Sequence, residues 1–301
     1  MKDKGKVWLN GSFVPWEKAT VPLLSHGFSR GSAIFEVLGI HEGPDGPMAF
    51  RMDQHLKRLQ RSAELLGMKL AYSIDEIAAA VAETVKVNKM GRGLVKLLAY
   101  WGEEAIIKLV LESNLDLAIF AVPATEDLRL DDARPISACL SKWRKIHPET
   151  MPVEAKACAN YLNGYLVRKE AMERGFDVGL IVGTDGFLAE GSIESVFLVK
   201  EGVLKTPPLG HILSSITRMS VLEAAPVLGI PISEESILPE ELFSSDEIFV
   251  SHTAIKVLPV ARFENRTLET PGPITAHLIS LVGNILNLTD QRFKAWFFPL
   301  Q

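Results

Sequence analysis

Hydrophobic positions near the start of the chain come in short alternating runs: Val7-Trp8-Leu9 and Ser12-Phe13-Val14 flank Asn10-Gly11. This is the pattern of two strands joined by a tight hairpin, since Asn and Gly accept the positive φ angles such a turn requires. A longer apolar run, Ile34 to His41, breaks at Glu42-Gly43-Pro44-Asp45-Gly46-Pro47 and resumes at Met48-Ala49-Phe50, a second strand–turn–strand pattern. The periodicity then becomes helical. Leu56, Leu59, Ala63 and Leu66 share one face of a helix for which Asp53 is the expected N-cap. Ser73-Ile74-Asp75-Glu76 is a capping box that opens a second helix, reaching about Asn88. Strand-like runs Leu94–Trp101 and Leu115–Val122 follow. Helices set against strands predict a small α+β domain over residues 1–122.

Residues 123–135 are polar and bracketed by Pro123 and Pro135, which predicts an interdomain linker. The remainder, 136–301, is expected to be a larger domain. Its pattern predicts a helix from about Cys158 to Arg174, stopped by Gly175, and strands at Val178–Val182, Phe187–Ala189, Val196–Lys200 and Glu247–Ser251. Further helices are expected from Ser215 to about Leu228 and over roughly Ile274–Asn287.

Composition narrows the function classes. Of 301 residues, 47% are hydrophobic and 23% charged, with a net charge of −5 and both signs interspersed, so no basic footprint for nucleic acid appears. No run of eighteen apolar residues predicts a membrane span, and no signal-peptide pattern opens the chain. Cys139 and Cys158 are too few for a disulfide framework, and no Cys/His cluster has zinc-like spacing. The expectation is a cytoplasmic protein without a structural metal.

Three features carry candidate chemistry. Lys156 sits among Ala155, Ala157, Cys158 and Ala159, small neighbours that leave room for a bulky group on its amine. A Schiff-base lysine needs such room. Glu190, before a Gly turn in Phe-Leu-Ala-Glu-Gly-Ser, is a carboxylate suited to pairing with a ring-nitrogen cation. In Leu213-Ser-Ser-Ile-Thr-Arg218, Ser215 caps a helix whose first amides, Ile216 and Thr217, can bind a phosphate. Arg58 can add a bidentate charge to the same group, and Tyr161 can present its hydroxyl to a phenolic oxygen. Taken singly, each has an ordinary structural explanation: a solvated lysine, a turn glutamate, a capped helix, a surface arginine, a packed tyrosine.

Together and in this order they resemble the fold type IV, or class IV, pyridoxal-phosphate-dependent aminotransferases, and most closely the branched-chain amino acid aminotransferases. The likeness runs through VWLNGSFVPWEKATVPLLSHGFSRGSAIFE at 7–36, RMDQHLKRLQRSAELLGM at 51–68, PVEAKACANYLNGYLVRKEAMERGFD at 152–177, GFLAEGSIESVFLVKEGVLKTPP at 186–208, SSITR at 214–218 and VSHTAIKVLPV at 250–260. The resemblance implies an α+β, two-domain architecture with pyridoxal 5′-phosphate held between a small N-terminal and a larger C-terminal domain. It implies that Lys156 holds the cofactor as an internal aldimine, Glu190 pairs with the pyridinium nitrogen and Tyr161 bonds the 3-oxygen. Arg58, Ile216, Thr217 and Thr253 would form the phosphate cup. Phe35 would wall the substrate pocket, and the Thr253-Ala254 turn would offer amides to a substrate carboxylate. The partners implied are an amino acid, a 2-oxo acid and at least one further copy of the chain, as a homodimer or larger assembly.

Departures from the branched-chain pattern touch the substrate. Arg30 stands where those enzymes tend to carry tyrosine, and Leu94 and Lys96 stand where they tend to carry tyrosine and arginine. A tryptophan-glycine loop before the linker is shortened, and Ser195 replaces a usual asparagine. Arg30 and Lys96 both invite a carboxylate, such as the distal one of glutamate or 2-oxoglutarate. The expected activity is ping-pong transamination between L-Leu, L-Ile or L-Val and 2-oxoglutarate. A D-amino acid aminotransferase and a 4-amino-4-deoxychorismate lyase are the alternatives on the same fold, and a non-catalytic binding protein is the alternative of another class.

Overall fold

A computed structural model describes residues 5–125, 134–254 and 256–300. The chain divides into two units. One comprises Met1–Leu128, Ala155–Ala159 and Leu286–Gln301, and the other comprises Arg129–Glu154 and Asn160–Ile285. Most of the expected linker, residues 126–133, lies outside the described residues.

In the first unit the strands are β1 (Lys6–Leu9), β2 (Ser12–Pro15), β3 (Ala33–Gly43), β4 (Gly46–Phe50), β5 (Gly93–Tyr100) and β6 (Asp116–Pro123), with a C-terminal strand, Phe297–Pro299. They form one antiparallel sheet in the order C-terminal strand, β4, β3, β5, β6, β1, β2. The β1–β2 turn is the expected one, with φ of 48° at Asn10 and 89° at Gly11. Besides the short helix α1 (His26–Arg30), two helices cover the sheet: α2 (Met52–Leu65) packs on β3, and α3 (Ile74–Val87) packs on β6 and β1. Leu56, Leu59 and Ala63 of α2 and Ile77, Val81 and Val85 of α3 meet Ile34, Leu38, Ile40, Val95 and Leu97 of the sheet. Strand alternation therefore turns Ile34, Glu36 and Leu38 toward the helices, and Phe35 and Val37 toward the opposite face.

The N-terminus of α2 differs from expectation. Arg51, not Asp53, occupies the cap position, in the left-handed conformation (φ 53°) and without a side-chain cap bond. Its N–H donates to the Trp296 carbonyl at 2.6 Å, so tertiary pairing with the C-terminal segment replaces the local cap. Asp53 lies in the first turn, where a carboxylate still favours the positive end of the helix. The capping box of α3 forms as expected: Ser73 Oγ accepts from Glu76 N, and the Glu76 carboxylate accepts from Ser73 N at 2.8 Å. Ser73→Ala is expected to lower the free energy of urea unfolding by about 1 kcal/mol, with no change in activity.

The second unit contains β7 (Ile136–Arg144), β8 (Val178–Val182), β9 (Leu188–Gly191), β10 (Ser195–Lys200), β11 (Val203–Thr206), β12 (Ile232–Glu234), β13 (Glu247–Ser251), β14 (Leu258–Phe263) and β15 (Arg266–Thr267). The sheet runs β12, β11, β10, β13, β14, β7, β8, β9, with β15 beside β14. It is mixed: β7 lies parallel to both β14 and β8. Helix α4 (Tyr161–Glu173) packs on β7 and β8, and α5 (Ile216–Ala224) and α6 (Pro273–Leu286) complete the unit. An antiparallel sheet with helices in one unit and a mixed sheet in the other make an α+β architecture, as expected. Among the described residues no helix is long and apolar enough to cross a membrane.

Candidate active site

Lys156 is held by its main chain. Its N–H donates to Ser62 Oγ on α2 at 2.9 Å, and its carbonyl accepts from Phe35 N on β3 at 3.0 Å. Ala157 makes an isolated bridge to Ile34. Gly31, at φ 70°, lies beside Ala159, whose Cβ a carbon added at Gly31 would touch at 3.5 Å, an ordinary contact. With the backbone fixed, the Lys156 side chain is only 8% exposed, and Nζ stands 4.7 Å from the Phe35 ring centroid.

Lys96 comes to the same ring, its Nζ 5.3 Å from the centroid. The register explains this, since Val37 faces Lys96 and Phe35 faces Leu98 across β3 and β5, on the face away from the helices. β5 is interior to the sheet, flanked by β3 and β6, so Lys96 is not a lysine reaching out from an edge. Two ammonium groups thus share one aromatic ring. Burial raises the Cys158 thiol above its ordinary range, and the Lys96 and Lys156 charges pull it the other way. Arg30 is exposed at the end of α1, and its Nη2 donates to the Ile106 carbonyl at 3.0 Å. No described contact joins it to Lys96.

Arg58 lies one helical turn before Ser62 and is buried. Its guanidinium grips Glu36 with two parallel bonds, Nε to Oε1 at 2.7 Å and Nη2 to Oε2 at 2.8 Å, and His55 Nδ1 lies 2.7 Å from the same Oε2. Glu36 is fully buried on the helix-facing side of β3. Burial alone would raise its carboxyl, but the Arg58 charge and hydrogen bonds, aided by His55, hold it down at about 2. The guanidinium is therefore oriented by an anion beneath it.

In the second unit, Glu190 stands on β9 with one oxygen paired to Lys145 Nζ and the other accepting Leu213 N–H at 3.2 Å. Leu213 begins the segment that leads into α5. Ser215 caps that helix, its Oγ accepting from Arg218 N at 3.2 Å, which leaves the Ile216 and Thr217 amides at the helix start without intrahelical acceptors. Arg218 anchors the turn from below: Nη2 donates to the Pro207 carbonyl at 2.7 Å and to Glu234 at 2.6 Å. Tyr161 opens α4, half-buried, after Asn160, whose Nδ2 donates to Pro152 O at 3.2 Å. A side chain at Gly164 would collide with Ser192 O at 2.1 Å, so only glycine lets α4 lie against the 191–194 turn. Thr253 and Ala254 follow β13, half-buried. Beside them Lys256 is buried, and that burial brings its ammonium down to about 8. Burial, with the Lys256 and Arg168 charges, lowers His252 to about 4.

The sites expected from sequence thus fall into two groups, each built within its own unit: Lys156, Phe35, Lys96 and Arg58 in one, and Glu190 with the Ile216-Thr217 helix start, Tyr161 and the Thr253-Ala254 turn in the other. Among the described residues no group of three His, Cys, Asp or Glu side chains is placed to hold a metal. The sequence profile of the family described as amino-transferase class IV matches residues 33–263. The chain belongs to the class IV aminotransferases. Over 299 residues, 98% of this chain and 97% of the other, it is 34% identical to the branched-chain-amino-acid aminotransferase of Salmonella typhimurium. Its structure is similar to that of the branched-chain aminotransferase from the archaeon Thermoproteus uzoniensis with norvaline, at 34% identity over 99% of each chain and a TM-score of 0.94. It is also similar to the branched-chain amino acid aminotransferase of Thermobaculum terrenum in its PLP form, at 31% identity over 100% of each chain and a TM-score of 0.92.

Three residues of this aminotransferase escaped the sequence reading. Glu36 carried a signal, a lone carboxylate inside the apolar strand Ala33-Ile-Phe-Glu-Val-Leu-Gly-Ile40. A buried charge in such a strand demands a partner, and His55 and Arg58, three apart on α2, supply two. Lys145 carried no comparable signal, because Lys142, Arg144 and Lys145 read together as solvated charge.

Proposed function

We propose that this class IV aminotransferase moves the amino group of L-leucine, L-isoleucine or L-valine to 2-oxoglutarate in two half-reactions, with pyridoxal 5′-phosphate as cofactor. The observation that carries the reading is the alignment along nearly the whole chain with a protein named branched-chain-amino-acid aminotransferase.

The donor set suits the cofactor. A buried amine stands over an aromatic ring, a guanidinium is fixed by its own carboxylate, and a capped helix start presents first-turn amides that have no intrahelical acceptors. Glu190 uses its oxygens for Lys145 and Leu213, yet a carboxylate accepts about four hydrogen bonds, so capacity remains for a ring N–H. When bound, pyridoxal phosphate supplies an aldehyde carbon that takes up amino groups and an electron-poor ring that stabilises negative charge at the substrate Cα.

Lys156 Nζ would hold the cofactor, and the same amine would move the proton at substrate Cα. Glu190 would keep the ring nitrogen protonated, and Tyr161 would donate to the phenolic oxygen. Arg58 of the first unit, and the Ile216 and Thr217 amides and Thr253 of the second, are the groups that would bind the phosphate. Phe35 walls the apolar substrate side chain, and the amides of the Thr253-Ala254 turn take the substrate carboxylate. Lys96 receives the distal carboxylate of glutamate or 2-oxoglutarate, while Arg30 braces the 106 loop. The test is product analysis. With 2-oxoglutarate, L-leucine, L-isoleucine and L-valine should each yield glutamate, whereas turnover of D-alanine or aminodeoxychorismate with no turnover of L-leucine would overturn the assignment.

The enzyme is also read as self-associating. Phe28 on α1 and Leu23, Ile106, Leu109 and Val110 on neighbouring loops of the first unit are large apolar side chains in the open, and Ile107 is 89% exposed. Grouped exposure of this kind marks a surface that another chain covers, and a second copy is the partner proposed. Both cysteines are free thiols, as suits the reducing cytoplasm, where we place the protein.

A further inference from the structure

Lys145 has no part in the residue roles above, yet it and its partner Glu190 are both largely buried, with side chains 9% and 14% exposed. Lys145 directly follows β7, and its main-chain N–H donates to Val182 O on β8 at 3.0 Å. Glu190 stands on β9 opposite Ile181 of β8. The lysine side chain therefore crosses β8 to meet the carboxylate on the strand beyond. The other carboxylate oxygen accepts Leu213 N–H, from the segment that enters α5. Three chain segments converge on one carboxylate.

We infer that Lys145 is a positioning residue, which fixes the Glu190 carboxylate in a single orientation toward the ring nitrogen and, through the Leu213 amide, ties that anion to the phosphate-binding start of α5. The inference rests on the reading that Glu190 pairs with the ring nitrogen. The terminal torsion of a glutamate is broad, so an unrestrained carboxylate at this position samples many directions. Restraints on different oxygens, one from an ammonium and one from a backbone amide, remove that freedom. Such preorganisation matters most where an anion must meet a cation without first reorienting. Lysine suits the task because it approaches as a point charge and leaves the rest of the carboxylate edge open, whereas a guanidinium fork would occupy both oxygens.

The experiment measures cofactor affinity by titrating apoprotein with pyridoxal phosphate and records the visible band of the bound form, for the parent, Lys145→Met, Lys145→Arg, Glu190→Gln and the Lys145→Met/Glu190→Gln double variant. Lys145→Met is expected to weaken cofactor binding about tenfold, the scale on which orienting partners act at other charged sites, and to displace the visible band. Lys145→Arg should recover part of both effects. In the Glu190→Gln background, Lys145→Met should change neither, because its influence passes through Glu190. A purely structural pair would lower stability while leaving affinity and band where they were, and that result for Lys145→Met overturns the inference. So does an equal loss in both backgrounds. A Glu190→Gln protein with parental affinity and spectrum overturns the ring-nitrogen reading itself. Should Lys145→Met not fold, Lys145→Gln, which retains a donor, replaces it. Partial loss then supports the inference, and parental behaviour overturns it.

Discussion

Replacing Lys156 with alanine is expected to lower the transamination rate by at least about a thousandfold, because in the proposed function one amine both anchors the cofactor and moves the Cα proton. The protein should stay folded. The bonds that place this segment, to Ser62 Oγ and from Phe35 N, belong to the Lys156 main chain and survive truncation. The lost side chain lies over an aromatic ring among small residues, so stability should fall by no more than about 1 kcal/mol. Urea unfolding separates the effects: near-parental stability with lost turnover and lost yellow colour is the expected combination. A Lys156→Ala enzyme that turns over L-leucine at the parental rate would remove the basis for the assignment.

Replacing Glu36 with alanine should produce the largest loss of stability in the first unit, about 3–5 kcal/mol, since it strips a buried arginine and a buried histidine of their shared anion. The same carboxylate gives the protein a definite acid response. Its folded-state value, about 2, lies below the ordinary 4.5, so its contribution is fully present above pH 4.5 and is lost as pH falls from there toward 2. The linked free energy is about 3 kcal/mol. Unfolding free energies of parent and variant should therefore differ most at neutral pH and converge below pH 4. A gap that stays constant from pH 7 to pH 3 would show that Glu36 contributes through packing and not through charge. Because Glu36 orients Arg58, the variant should also bind pyridoxal phosphate more weakly at neutral pH.

Local chemistry was readable where a short segment decides its own conformation. Asn10-Gly11 turns, Ser73 and Glu76 cap each other, and Ser215 caps α5 as their side chains dictate. Strand β7 left no clear pattern because Ser137, Ala138, Cys139 and Ser141 blur the alternation, and its place is set by parallel pairing to β8 and β14, remote in sequence. Asp53 lost the cap position to Arg51 for the same reason: the deciding bond comes from Trp296. The candidate lysine, glutamate and helix start were visible as residue types in order. What holds them was not, because Glu36 and Arg58 lie 22 positions apart, Lys145 and Glu190 lie 45 apart, and Lys156 leans on Ser62 across 94. Lys96 shows the limit most plainly. Its charge was legible as one that invites a carboxylate, but only the β3 register reveals that it shares the Phe35 ring with Lys156.

The central assignment, Lys156 as the cofactor-bearing amine, is tested most directly by borohydride reduction of the cofactor-loaded enzyme followed by peptide mass spectrometry. Phosphopyridoxyl label on the peptide containing Lys156, and its disappearance when the enzyme is first treated with L-leucine, is the expected result. Label on Lys96, Lys145 or Lys256 instead would contradict it, whereas label on Lys156 that L-leucine leaves untouched would keep Lys156 as the cofactor-bearing amine and contradict L-leucine as the donor.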